Sequence, residues 1–344
     1  MPLQPTPAEI LSRLGLPPAD LHERPGSVHT FPDGAQYRIE IPSTEGPECL
    51  RALLDDAGSL GVPIHRVSQG SGVFLHTDAE LDAMAELAAE RHVEVSLFAR
   101  PTAGWSPSAM AMAAAGAVAS STLRGADQLA AALADVCRAA DHGFRSVLVS
   151  DIGLLATVGQ ARARGLLPPD MQAKISVTLP VANPAAARLV TDLGANTLNI
   201  PTDLTLDQIA ALRAVTDIPL DIYVEAPDNM GGFIRHHEIP ELIRIAAPVY
   251  LKFGLRNAPD IYPSGSHLAA TAVALSRERV RRARLGLDLL QRSGISPVTY
   301  PPSESTGLAV PCPPSQPGTG GRHDGHLRGT PAPGRPGDNP VVTN

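Results

Sequence analysis

Leu220-Asp-Ile-Tyr-Val-Glu225 and Val249-Tyr-Leu-Lys-Phe253 alternate apolar and polar residues at every step, and each runs into a loop rich in Gly, Asn and Asp. Strand side chains point alternately to opposite sides, so Leu220, Ile222 and Val224 share one face while Asp221, Tyr223 and Glu225 share the other. Val249, Leu251 and Phe253 oppose Tyr250 and Lys252 in the same way. The apolar faces suit packing beneath helices. The polar faces carry a carboxylate, a phenol and an ammonium inward at strand ends, as a reaction site requires.

Outward from this pair, one unit repeats from Gln36 onward: a short β-rich run, a turn, an amphipathic helix and a connection with Gly or Pro. Strands are predicted at 37–41, 63–67, 93–98, 146–150, 175–179, 197–200, 220–225 and 249–253. Thr77, Asn183 and Thr205 stand where helix N-caps are expected. Eight βα units with short connections imply parallel strands joined by right-handed crossovers, and hence a (β/α)8 TIM barrel over 36–293. The rival, an open doubly wound sheet, generally carries a glycine-rich phosphate turn after its first strand. Here that turn reads Ile41-Pro-Ser-Thr-Glu45.

Residues 1–35 form an N-terminal arm with a short helix entered at Thr6-Pro7, and 101–123, with Trp105, Met110 and Met112, reads as an enlarged loop or lid over the mouth. From 294 to 344 proline and glycine dominate and apolar periodicity vanishes, the composition of a disordered tail.

A hydrophobic fraction of 43% in 344 residues allows a large core. The net charge of −7 offers no general attraction for nucleic acid. Arg277-Glu-Arg-Val-Arg-Arg-Ala-Arg284 is a local basic run, read as a solvated helix face with an anion or partner site as the alternative. Three cysteines without CxxC spacing support neither a disulfide framework nor a cysteine metal site. No apolar run approaches the roughly 20 residues that span a bilayer. A soluble cytoplasmic protein is expected, free of membrane and nucleic-acid partners and compatible with an oligomer.

Catalytic groups of such barrels come from C-terminal strand ends and the loops after them. Strand parity predicts an inward set of Arg38, Glu40, Glu94, Ser96, Ser150, Ser176, Thr178, Asn199, Asp221, Tyr223, Glu225, Tyr250 and Lys252. Either His65 or Arg66 points in from the second strand. Arg38 and Asp221, deeper, suit a buried structural network. Glu225, Lys252 and Glu40, at the loop end, are the catalytic candidates. Arg100, Asp151, Thr178, Asn199, Tyr223, Asp228, Asn229, Arg256 and Asn257 are candidates for holding substrate. Ser264, Gly265 and Ser266 open the last long helix and suit an anion site. Glu40, Glu225, Asp228 and His65 are conceivable ligands for a divalent metal, although no HxH, HExxH or DxD spacing is present. His236 and His237 read as loop or capping residues.

Val149-Ser-Asp-Ile-Gly-Leu-Leu155, Ile175-Ser-Val-Thr-Leu-Pro-Val-Ala-Asn183, the helix ending in Leu193-Gly194, and Pro201-Thr-Asp-Leu-Thr-Leu-Asp-Gln-Ile209 together resemble the peptidase U32 family over about 145–225. The resemblance implies a hydrolase of peptides or small molecules and assigns no catalytic residue; in that case the strand-end reading makes Glu225 the base or metal ligand, with Lys252 and Arg256 stabilising negative charge. The cysteine-containing segment of U32 relatives is missing after Val224-Glu-Ala226, so no iron–sulfur cluster is expected. Two other functions fit the residues: a Schiff-base or metal-dependent lyase acting on a phosphorylated carbonyl compound, and a metabolite-binding protein without turnover.

Overall fold

Eight parallel strands close on themselves in chain order in the computed structural model of the chain, which describes residues 5–100 and 122–314. They are β1 (Tyr37–Pro42), β2 (Ile64–Ser68), β3 (Glu94–Phe98), β4 (Ser146–Val149), β5 (Gln172–Ile175), β6 (Thr197–Asn199), β7 (Leu220–Glu225) and β8 (Val249–Phe253). The fold is a (β/α)8 barrel. Its helices are α1 (Pro7–Arg13), α2 (Pro47–Leu60), α3 (Asp78–Glu90), α4 (Gly125–Asp141), α5 (Ile152–Ala163), α6 (Pro184–Asp192), α7 (Leu206–Arg213), α8 (Ile239–Ala246) and α9 (Ala269–Arg292). Among the described residues no helix is long and apolar enough to cross a membrane. The loop read as a lid, with Trp105, Met110 and Met112, falls mostly on 101–121, outside the described residues.

The alternation legible in the chain sets the two sides of the wall. Ile39, Val95, Val147, Ile222 and Leu251 face outward into one continuous apolar layer with helix residues such as Leu53, Leu81 and Ile243. Each such side chain contributes roughly 1.5–3 kcal/mol when fully buried. Thr77 and Thr205 close capping boxes with Glu80 and Gln208, and the Asn183 side chain accepts from Ala186 N–H, as the sequence predicts.

The fifth strand departs from expectation. Its ladder runs from Gln172 to Ile175, paired Ser146 to Gln172 and Lys174 to Thr197, rather than over 175–179. Ile175-Ser-Val-Thr-Leu179 alternates as well as Gln172-Ala-Lys-Ile175 does, and only the neighbouring strands decide between them. Parity survives the shift, so Ser176 is buried, but Thr178 lies exposed in the turn beyond, bonded to Ser176 at 2.8 Å.

The floor of the barrel corrects the boundary drawn at 294. Residues 295–314 cross the N-terminal ends of the strands. Val298 and Tyr300 carbonyls receive Gln36 N–H and His65 Nε2–H at 2.8 Å each, and the Thr306 carbonyl receives Arg38 at 2.6 Å. Ala309 N–H donates to Glu94 and Cys312 N–H to the Gly143 carbonyl. A proline-rich segment cannot build a core of its own, yet its free carbonyls suit cations and N–H groups already exposed at a barrel's end. Phe31 of the N-terminal arm completes the floor, edge-on to Tyr250 at 5.2 Å with Arg38 4.1 Å above its ring. Residues 315–344 lie outside the described residues.

Close helix approach makes one glycine indispensable. A Cβ on Gly159 of α5 would lie 2.4 Å from the Leu193 carbonyl oxygen, which is backbone and cannot swing away. Gly159→Ala should therefore lower stability by about 1–3 kcal/mol despite alanine's better helix propensity. Urea denaturation checks this, and a stabilised variant would contradict the packing described.

Candidate active site

Most inward strand positions deliver a polar group to the lumen, Phe98 and Leu148 excepted, and charges of both signs meet at its centre. Arg66 of β2 is the inward residue of that strand. Its Nε donates to Glu94 at 2.7 Å and its Nη1 to Asp221 at 3.1 Å, with Glu40 at 3.5 Å and the Tyr250 ring 3.6 Å beneath. His65 is instead the extra residue of a bulge, because Ile39 pairs with Ile64 and Glu40 with Arg66. Its Nδ1 accepts from Ile39 N–H at 3.1 Å, so it serves the floor and is remote from any metal at the mouth.

Lys174 of β5 donates to Glu40 at 2.6 Å and to Asp221, and Thr197 also donates to Asp221, at 3.1 Å. Above this pair lies Lys252 of β8. Its Nζ is 3.2 Å from Glu40, 2.9 Å from the Asn199 side-chain oxygen in the orientation that satisfies that amide, and 4.6 Å from the centre of the Tyr223 ring. Ser68 holds the other side of Glu40 at 2.8 Å. Three carboxylates (Glu40, Glu94, Asp221) thus balance three cations (Arg66, Lys174, Lys252), all within 2% of complete burial. Burial alone would raise the Glu40 carboxyl; Lys174, Lys252 and Arg66 overcome it and hold the group well below the usual carboxylate range. Burial likewise lowers the Lys174 ammonium, against the pull of Asp221 and Glu40, and raises the Tyr223 phenol.

Lys252, Glu40, Asn199 and Tyr223 therefore converge as the strand parity requires. Glu225 does not join them. Tyr223 pairs with Lys252 but Glu225 pairs with Phe253, so two β7 residues span one step of β8 and the side-chain alternation is reset. Its carboxylate accepts from Arg256 N–H at 3.0 Å and lies 3.4 Å from His236 and 3.9 Å from Arg282 of α9, outside the barrel wall. Glu40 and Glu225 thus stand on opposite sides of the sheet. Among the described residues no group of three or more His, Cys, Asp or Glu side chains is disposed to hold a metal ion.

The loop candidates mostly bind one another. Asp228 pairs with Arg256 at 2.9 Å and also accepts from Asn257 N–H, so Arg256 is not a free fork. Asn229 lines a cavity at the C-terminal ends of β1, β7 and β8. Asp151 caps α5 through Leu154 N–H at 2.9 Å. Arg100 donates to the Gly70 carbonyl at 2.9 Å. Ser264, Gly265 and Ser266 border a cavity of about 240 Å³ shared with Glu45, Glu48 and Glu80, a lining poorly suited to an anion.

Lys174 was missed through the shifted fifth strand, although composition offered a signal. Of 28 lysines and arginines in the chain only two are lysines, Lys174 and Lys252, and both touch Glu40 inside the lumen. Everywhere else, including the whole surface, the cation is arginine, which cannot lose its proton in a protein.

Comparison with known proteins adds a family to this geometry. Residues 108–226 match the model of peptidase family U32. Over that stretch, about a third of its length, the chain is similar to the U32 family. No curated protein matches it significantly. Among solved structures, the U32 peptidase Mk0906 is 16% identical, over 56% of this chain and 70% of that one, with a TM-score of 0.34. A dimeric archaeal Rubisco from Hyperthermus butylicus is 13% identical over 80% and 71%, at 0.41. A truncated 3-deoxy-D-arabino-heptulosonate 7-phosphate synthase from Thermotoga maritima is 16% identical over 75% and 89%, at 0.39. The U32 stretch supplies Lys174, Asn199, Asp221 and Tyr223, while Glu40, Arg66, Glu94 and Lys252 come from outside it.

Proposed function

We propose that the barrel is an enzyme of the Schiff-base lyase or aldolase type, acting on a small carbonyl compound at Lys252. The observation that carries this reading is the seclusion of the chain's two lysines on either side of Glu40. A chain that otherwise uses arginine throughout keeps amines only where they can be desolvated, and an amine is the group that forms an imine. In this reading Lys252 releases a proton to water entering with the substrate and attacks the carbonyl carbon as the free amine, its remaining extra proton passing to the new oxygen. The resulting hydroxyl takes a proton from water and leaves as water, the Glu40 carboxylate stabilises the iminium by its charge, and the iminium draws electrons from a neighbouring bond. Lys174 keeps Glu40 oriented and balances its charge. Tyr223 and Asn199 frame the carbonyl.

Borohydride with a panel of small aldehydes and keto acids tests it directly, because only Lys174, Lys252 and the N-terminal amine can be trapped. A mass adduct at Lys252 that disappears in Lys252→Met is expected. Absence of any adduct at Lys252 across the panel would remove the reading.

The U32 match favours a second reading, hydrolysis of a peptide or amide. With Glu225 outside the wall, Glu40 is in that case the carboxylate that orients Lys252 and the attacking water. Cleavage of a peptide library that ceases in Glu40→Gln, with no trapping at Lys252, would select hydrolysis over imine chemistry.

A further inference from the structure

A cavity of about 220 Å³ opens between the C-terminal ends of β1, β7 and β8, bordered by Ser43, Asn229, Gly254, Tyr262 and Arg279. Arg279 belongs to the basic run that reads as a solvated face, yet its side chain turns inward from α9 and is only 5% exposed. Among the described residues its sole hydrogen bond runs from Nη1 to the Ser43 carbonyl at 3.3 Å. Nε is buried without an acceptor, and no carboxylate pairs with the guanidinium among the described residues. The acids nearby are already engaged. Asp228 and Asp260 also line the cavity, but Asp228 holds Arg256 and Asn257 and Asp260 accepts from Tyr262 N–H at 3.0 Å; Glu45, whose charge favours the guanidinium without hydrogen-bonding to it, receives Gly70 and Ser71 N–H groups.

An arginine buried with most of its donors unused is costly unless an acceptor arrives. Ser43, which supplies the one acceptor, has φ 59°, an uncommon conformation for a residue other than glycine. The Tyr262 hydroxyl donates to Ser43 and fixes this corner. Gly254, at the β8 border of the cavity, packs close against β7: a Cβ there would meet the Glu225 carbonyl at 2.6 Å and Tyr223 at 3.3 Å. That contact also ties the cavity to the ring lying under Lys252.

We infer that this cavity is an anion-binding subsite in which Arg279 receives the carboxylate or phosphate group of the substrate, whose carbonyl then meets Lys252. The substrate class is a small carbonyl compound bearing one acidic group. The choice of a carbonyl compound rests on the proposed imine chemistry, whereas the anion subsite stands without it.

The test uses the full chain and inorganic phosphate, acetate and chloride at matched ionic strength, read by thermal unfolding and calorimetric titration. Phosphate or acetate is expected to bind and raise the unfolding midpoint relative to chloride, and the stronger of the two identifies the acidic group. Arg279→Met should weaken that binding about tenfold or more without lowering ligand-free stability, since it removes an unpaired buried cation. Arg279→Lys, which keeps the charge, should retain part of it. If neither anion outperforms chloride on the parent protein, or if Arg279→Met or, should that variant not fold, Arg279→Gln binds as tightly as the parent, the subsite is refuted. Lys252→Met separates the two proposals, because it should lose borohydride trapping and keep anion binding. Trapping with pyruvate should exceed trapping with acetone in the parent and become equal to it in Arg279→Met.

Discussion

Replacing Lys174 by Met should cost the fold about 3–5 kcal/mol, the usual consequence of removing one partner from a fully buried ion cluster. The central lumen holds three carboxylates and three cations, each at most 2% exposed. Removing Lys174 leaves a net negative charge there and frees acceptors on both Glu40 and Asp221, which only Arg66, Lys252, Ser68 and Thr197 remain to satisfy. Urea denaturation measures the loss. A drop of less than about 1 kcal/mol would mean that the cluster does not exist in solution as described. The double variant Lys174→Met with Asp221→Asn restores neutrality and should recover at least about 1 kcal/mol of the single variant's loss, because charge imbalance rather than lost volume dominates.

Acid should loosen the floor of the barrel through His65. Its ring is fully buried, accepts Ile39 N–H on Nδ1 and donates to the Tyr300 carbonyl from Nε2. Both nitrogens are therefore committed to the neutral form, since a second proton on Nδ1 would face the Ile39 donor. Burial, assisted by Arg38 and opposed by the Tyr300 carbonyl and Asp33, lowers its pKa to about 4. The unfolded chain takes up this proton near pH 6.5 and the folded chain only near 4. Stability from this group is thus complete above about pH 6.5 and is lost as pH falls through 4, by about 3 kcal/mol in all.

Asp135, pushed up to about 6 by burial, acts in the opposite direction below that pH, while the depressed His76 acts in the same direction. The measurement is therefore the difference between the parent and His65→Asn, whose side-chain oxygen keeps the Ile39 acceptor and does not titrate. The parent's advantage at pH 7 should shrink by about 3 kcal/mol at pH 4. A difference that stays constant over that range would show that His65 titrates normally and that the floor is open to solvent.

The barrel was legible because its evidence is local and repeated. Alternation in β1, β7 and β8, the capping residues Thr77, Asn183 and Thr205, and the absence of a glycine-rich first turn each point to the same architecture. Lys252, Glu40, Asn199 and Tyr223 followed from the same period of two. Errors arose where a partner strand, not the strand's own residues, sets the answer. The shift in β5 concealed Lys174, and a single added residue in β7 turned Glu225 away from the lumen. Composition misled at the C-terminal side, since 295–314 lacks a core of its own but finds acceptors and donors ready at the barrel floor. The basic run misled in the reverse sense, because one arginine of a charged helix face found room inside.

The sequence alone determined eight alternating βα units, the closed parallel sheet they imply, and a polar lumen with Lys252 beside Glu40. Only the tertiary structure decided which acid answers which cation, that Glu225 lies outside the wall, that Lys174 completes the cluster and that Arg279 is buried without a carboxylate. Periodicity encodes which face a side chain takes relative to its own backbone. Register, bulges and the docking of distant segments depend on pairing with other strands, and no stretch of the chain carries that information by itself.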